Sequence, residues 1–194
     1  MTREEVLNNI QYNENLVRQY QNRIRDLHDS IRSRYSSIDK INASIQSMET
    51  TMRDLNSQID DLNKLKNKYQ KLQSDFSSRQ AKRISKMKSN FSYHMNVNFI
   101  NSYISGMNAL LSGNEYKRAF NGLTSAMEII GNQVGGKQRE VDGIISQISK
   151  LRKEIDSIIR AIGSIDSEIR TTESNLAYRR QRILYWKEQL QYAT

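Results

Sequence analysis

The sequence predicts an all-α fold: a long antiparallel coiled-coil helical hairpin with a short helical, aromatic-rich tip. Apolar residues recur at alternating steps of three and four in two long stretches, which places them on one seam of a helix that must be buried against another helix. The 194-residue chain has no proline and no glycine before Gly106, so nothing breaks a helix in its first half. Only 37% of the residues are hydrophobic, which is enough for a narrow apolar stripe but low for a compact globule.

The first apolar stretch predicts an N-terminal coiled-coil arm over residues 1–76. Its start carries Thr2 and Glu5 at the spacing of a capping box, which marks a helix N-terminus. After Phe76 the pattern resumes one residue late, at Ile84, and such a register break locally alters or ends a supercoil. The seam residues of this arm are Ile10, Val17, Tyr20, Ile24, Leu27, Ile31, Ile38, Ile41, Ile45, Met48, Met52, Leu55, Ile59, Leu62, Tyr69 and Phe76.

Residues 77–119 differ in composition and are expected to form the helical tip and the chain reversal. The four phenylalanines of the chain lie between positions 76 and 120. A second capping box, from Ser112 to Glu115, predicts that the next helix starts just after Gly113, so the turn is expected at Leu111, Ser112 and Gly113. The alternative is a straight hairpin that turns at Gly113 and leaves N-terminal residues overhanging.

The second apolar stretch predicts a C-terminal coiled-coil arm over residues 120–194, antiparallel to the first. Its glycines fall off the seam, and we expect a soft or kinked helix near Gly135 and Gly136. Four charged seam residues would limit the register at some cost in stability: Arg34, Lys66, Lys137 and Arg179. The apolar seam residues of this arm are Phe120, Leu123, Met127, Ile130, Val134, Val141, Ile144, Ile148, Leu151, Ile155, Ile158, Ile162, Ile165, Ile169, Leu176, Ile183, Trp186 and Leu190.

The residues that bear reactive chemistry do not form a recognisable catalytic or metal site. There is no cysteine, and the two histidines, His28 and His94, lie on different predicted segments. No nucleophile elbow and no phosphate-binding glycine loop occurs. We therefore expect a protein that is not an enzyme and that has no cofactor, metal or small-molecule ligand.

Two sets of residues are candidates for binding a macromolecule. The aromatic candidates for protein binding are Phe91, Phe99, Tyr103, Tyr116, Phe120, Tyr185 and Trp186, because aromatic side chains with polar tips are enriched at protein interfaces. The net charge is +9, and the basic candidates for binding nucleic acid or an anionic membrane are Arg79, Lys82, Arg83, Lys86 and Lys88. No run of about 18 apolar residues exists, so no segment is expected to span a membrane.

The reversal reads Ala109-Leu110-Leu111-Ser112-Gly113-Asn114-Glu115-Tyr116 between two long helices. It resembles the WXG-type helical hairpins of bacterial type VII secretion and, more closely, the coiled-coil partner proteins of LXG toxins. Gly113 matches the glycine of the family's Trp-x-Gly turn, and Leu111 stands in place of its tryptophan.

The resemblance implies a non-catalytic adaptor or chaperone. Such a protein would bind the helical N-terminal region of a larger secreted effector or toxin, alone or as a homo-oligomer, and present it to a type VII-like secretion system. Its expected location is the cytoplasm, or outside the cell by co-secretion without a cleaved signal peptide. The alternative is a self-assembling coiled-coil scaffold that binds nucleic acid or an anionic membrane through the basic residues of the tip.

Overall fold

In a computed structural model of the chain, two long α-helices pack together. The all-α prediction is confirmed. The residues that the structure describes are 2–91, 102–103, 105–107, 109 and 113–193. Helix α1 spans Arg3–Phe91 and helix α2 spans Asn114–Gln189. No β-strand occurs among the described residues.

The start of α1 is stabilised by the predicted capping box. The Thr2 backbone N–H donates to Glu5 Oε2 at 2.9 Å, and the Glu5 backbone N–H donates to Thr2 Oγ1 at 3.3 Å. Two N–H groups that lack helical partners are thereby satisfied. At its other end α1 continues through Ile84 to Phe91, so the register break in the heptad pattern does not end the helix.

Helix α2 begins where the second capping box predicted, directly after Gly113. The Lys117 backbone N–H donates to the Gly113 carbonyl at 3.1 Å. The other two predicted turn residues, Leu111 and Ser112, lie outside the described residues. Helix α2 is continuous through Gly135 and Gly136, where the sequence predicted a soft or kinked helix.

The chain divides into two compact units, each built from part of α1 and part of α2. Unit 1 comprises Met1–Met48 and Ser146–Thr194, and unit 2 comprises Glu49–Ile145. Every apolar seam residue predicted from the heptads is buried or half-buried. The most buried apolar side chains of unit 1 are Val6, Ile10, Leu27, Ile45, Ile148, Ile162, Ile169 and Leu176, and those of unit 2 are Leu55, Ile59, Ile130 and Val141. Burying one such side chain stabilises the fold by about 1.5–3 kcal/mol.

Polar contacts between the helices show how they pair within each unit. In unit 1, Asn13 contacts Arg179 and Arg23 contacts Glu168. As the residue number rises along α1, the number of its partner on α2 falls, so the helices run in opposite directions in this unit.

The same relationship holds in unit 2. Gln58 accepts a hydrogen bond from Lys137, and the Gln73 amide donates to Thr124 Oγ1 at 2.8 Å. An apolar cluster of Leu55, Ile59 and Val141 lies near the first of these contacts in sequence, with Met52, Val134 and Ile144 packed against it.

Candidate functional site

Side chains that could hold a metal ion do not cluster in the described part of the chain. His28 is exposed on α1, and His94 lies outside the described residues. No group of three or more His, Cys, Asp or Glu side chains suited to a metal ion occurs among the described residues. Within the same residues, no helix combines the length and the hydropathy that crossing a membrane requires.

The aromatic residues predicted at the tip pack against α1 in unit 2. The Tyr116 ring stacks on Phe76, with 4.9 Å between the ring centroids and 10° between the ring planes, and its other neighbour is Phe120 at 6.0 Å. The Tyr116 hydroxyl also contacts Ser77 Oγ at 3.5 Å. Tyr116 and Phe120 are half-buried by these contacts, so they hold α1 and α2 together in this unit.

Three other candidate residues of the tip can be placed only in part. Phe91 is the last residue of α1, and nothing is described of its side chain. Phe99 lies outside the described residues. Tyr103 is exposed over half of its surface.

The basic residues predicted to bind an anionic partner lie near the end of α1. Arg79, Lys82, Arg83 and Lys86 are exposed, and Lys88 belongs to the helix but its side chain is not described. Their spacing places the first four on neighbouring positions of the helix surface. They form a solvated, positively charged face.

Unit 1 contains a second aromatic group, to which the candidates Tyr185 and Trp186 belong. Their rings meet edge to face, with 5.1 Å between centroids and 71° between planes. The guanidinium carbon of Arg182 lies 5.1 Å from the centroid of each ring. Both distances are within the range of a cation–π interaction.

One helical turn earlier on α2, Arg179 makes a similar arrangement that also includes α1. Its guanidinium carbon lies 5.3 Å from the centroid of Tyr178 and 6.0 Å from that of Tyr12. Its Nη1 group donates to Asn13 Oδ1 at 3.3 Å. We name the resulting surface, formed by Tyr12, Tyr178, Arg179, Arg182, Tyr185 and Trp186, the arginine–tyrosine surface.

Sequence reasoning had proposed Tyr185 and Trp186 as partner-binding residues and Arg179 as a charged seam residue, but it had not singled out Tyr12. The heptad spacing of Tyr178 and Tyr185 places these two tyrosines on one face of α2. Tyr12 could not be found in this way, because its neighbours on the surface come from the opposite end of the chain.

The three tyrosine rings of the arginine–tyrosine surface are open to solvent, whereas Trp186 and the arginines are half-buried. Tyr12, Tyr178 and Tyr185 expose 59%, 53% and 44% of their surface. Arg179 and Arg182 are half-buried, and neither has a carboxylate partner among the described residues. The surface is therefore aromatic and positively charged.

The indole of Trp186 adds an unused hydrogen-bond donor. Its Nε1 atom is buried and has no hydrogen-bond partner among the described residues. Buried polar groups of native proteins are almost always paired, so this buried indole N–H is an exception among the described residues.

An ordered set of aromatic rings and arginines is the composition of protein-binding hot spots. Tyrosine and tryptophan supply large contact areas with few rotatable bonds, and arginine supplies several fixed donors. Comparisons with protein-family models, curated proteins and solved structures found no match to this chain.

Proposed function

We propose that this protein is a non-catalytic coiled-coil adaptor or chaperone that binds a helical region of a larger protein. The observation that carries the proposal is the arginine–tyrosine surface, where Arg179 and Arg182 lie against four aromatic rings, three of which are exposed. Exposed aromatic residues of this density on a polar helical protein are typical of an interaction site.

The scaffold for this function is a long antiparallel coiled-coil hairpin with a tip in residues 77–119. The burial of the predicted seam residues and the opposed pairing within each unit support it. Because those seam residues already pack within the chain, the partner helix docks beside the seam, on the exposed rings of Tyr12, Tyr178 and Tyr185. Binding then extends a two-helix pairing to three helices.

In the cell, the partner is the helical N-terminal region of a secreted effector or toxin. The adaptor keeps the apolar stripe of that region soluble and presents it to a type VII-like secretion system, from the cytoplasm or as a co-secreted subunit. The likeness of residues 109–116 to the turn of WXG-type hairpins supports this part of the proposal.

The test is to tag the protein in its native cells and to identify by mass spectrometry what co-purifies. A stoichiometric larger protein with a helical region is expected, and the double variant Tyr178→Ser with Tyr185→Ser should lose it. Tyr35→Ser is the matched control, because Tyr35 is an equally exposed tyrosine of unit 1 outside the surface. Recovery of the bait alone, or equal recovery by both variants, would contradict the proposal.

The second candidate function is a scaffold that binds nucleic acid or an anionic membrane, and the exposed basic face of α1 favours it. Phosphate binding by Arg79, Lys82, Arg83 and Lys86 would weaken steeply as salt is raised. Lys82→Glu with Lys86→Glu should abolish binding to DNA, RNA or anionic vesicles, and Lys150→Glu with Lys153→Glu, exposed lysines of α2, should not. Absence of binding at low salt would remove this candidate.

A further inference from the structure

We infer that the partner segment recognised by the arginine–tyrosine surface is an acidic amphipathic helix. Its Asp or Glu side chains would bind Arg179 and Arg182, and its apolar side chains would cover the tyrosine rings. The inference rests on the proposed function and adds the chemistry of the partner.

The donors of the two arginines are the first reason. A guanidinium carries five N–H donors in a plane, and an aromatic ring beside it uses none of them as a conventional hydrogen bond. Arg179 donates to Asn13 Oδ1, and no other hydrogen bond of Arg179 or Arg182 occurs among the described residues. Most of these donors are therefore available, and carboxylate oxygens are the acceptors that arginine binds in two-pronged geometry.

The local charge is the second reason. Residues 174–194 contain Arg179, Arg180, Arg182 and Lys187 but a single acid, Glu188. From α1, the Glu14 carboxylate lies 3.9 Å from Lys187 Nζ rather than beside the arginines. A positive surface attracts an acidic partner and disfavours a basic one.

Two other acidic residues of unit 1 are already engaged within the chain. Glu5 Oε2 accepts the Thr2 backbone N–H. Glu168, earlier on α2 than the arginines, accepts hydrogen bonds from both Nε and Nη2 of Arg23 through its Oε1 atom. Neither carboxylate is bonded to Arg179 or Arg182, so the charge of both arginines is available to an acidic partner.

The spacing of the surface is the third reason, because it matches a helix that lies along α2. Arg179 and Arg182 are one turn apart, as are carboxylates at positions i and i+3 or i+4 of a partner helix. Tyr178 and Tyr185 lie two turns apart, roughly 10 Å along the axis, on the same side.

Trp186 is the only tryptophan of the chain, so its fluorescence and its indole N–H resonance report on this surface alone. We would titrate the full chain with a helical peptide that carries leucine on one face and glutamate pairs at i and i+3 beside it. The matched peptide has glutamine in place of each glutamate, and a third has lysine. The glutamate peptide is expected to shift the Trp186 signals at a Kd roughly tenfold below that of the glutamine peptide, a difference that falls with salt.

Two protein variants test whether Arg182 causes the preference for glutamate. Arg182→Gln should remove the preference for glutamate over glutamine, and Arg180→Gln should keep it, because Arg180 is an exposed arginine without a ring contact in the described structure. Helical circular dichroism checks that each variant is folded. The comparison of the glutamate and glutamine peptides on the unaltered protein tests the inference even where a variant unfolds.

The outcomes distinguish this inference from the function on which it rests. Equal binding of the glutamate and glutamine peptides, or tighter binding of the lysine peptide, would overturn the acidic partner while native co-purification still supports an adaptor. Without peptide, the chain could also have twice its monomer mass and Trp186 signals that are already shifted. That result would assign the surface to a second copy of the chain and would also overturn the acidic partner.

Discussion

Arg179 and Asn13 form a polar pair in the apolar seam of unit 1, joined by a 3.3 Å hydrogen bond from Nη1 to Oδ1. Asn13 is 3% exposed, and its amide nitrogen also donates to the Asn9 carbonyl at 2.7 Å. A single polar pair among apolar seam layers disfavours every register in which the two residues do not meet. It costs stability relative to an apolar pair of similar volume.

Asn13→Ala should lower the free energy of unfolding by about 1–3 kcal/mol, because it leaves a half-buried guanidinium without its acceptor. The double variant Asn13→Leu with Arg179→Leu should be at least as stable as the unaltered protein, since it replaces the polar pair by an apolar layer. Urea unfolding followed by circular dichroism measures both. A double variant that is less stable than the unaltered protein would show that the pair contributes net stability.

Tyr116→Ala should lower the free energy of unfolding by about 2 kcal/mol, because the ring is half-buried against Phe76 and Phe120 and stacks on both. Tyr116→Phe keeps the stacking and loses only the 3.5 Å contact to Ser77, so its effect should stay below about 0.5 kcal/mol. Thermal unfolding of the two variants makes the comparison. A loss as large in Tyr116→Phe as in Tyr116→Ala would assign the stability to the hydroxyl instead.

Gly135→Ala and Gly136→Ala should each raise the free energy of unfolding by about 0.5–1 kcal/mol, because alanine is the better helix former. A Cβ atom added at either position meets nothing within 4 Å. Gly131→Ala is the comparison at a position with one neighbour, where the added Cβ would lie in ordinary contact, 3.8 Å from Lys66 Nζ. Destabilisation by the first two substitutions, measured by urea unfolding, would show that this glycine surface is covered in solution.

Arg23 and Glu168 should be coupled by only about 0.2–1 kcal/mol, because both side chains are roughly half exposed. The measurement is a double-mutant cycle of Arg23→Gln and Glu168→Gln by urea unfolding. Raising the salt concentration should reduce the coupling, because exposed charges are screened. A coupling that does not change with salt would indicate that the pair is desolvated in solution.

The heptads predicted the buried face of both helices because burial at steps of three and four is a local property of the sequence. Ile59 and Val141, for example, were assigned to seams from spacing alone and are among the most buried residues. The register break at Ile84 was less informative about the helix itself. A shift of the apolar stripe turns the buried face without removing any backbone hydrogen bond, so α1 continues to Phe91.

The candidate site was predicted less well, because it depends on contacts between residues far apart in sequence. Arg179 was recognised as a charged seam residue, but nothing in the sequence indicated that it would contact Asn13 and Tyr12. Tyr116 and Phe120 were expected to bind a partner as part of an aromatic tip. Their stacking with Phe76 depends on how α1 and α2 are aligned, which composition does not specify.

The division of the chain into units has a consequence for the order of folding. Unit 2 is one continuous stretch, whereas unit 1 joins Met1–Met48 to Ser146–Thr194. Ser77 and Tyr116 close a separation of 39 residues, and Asn13 and Arg179 close one of 166. Shorter loops cost less entropy to close, and a folded unit 2 shortens the effective loop that unit 1 must close. We therefore expect unit 2 to fold first, and the arginine–tyrosine surface to become competent to bind only after most of α2 has left the ribosome.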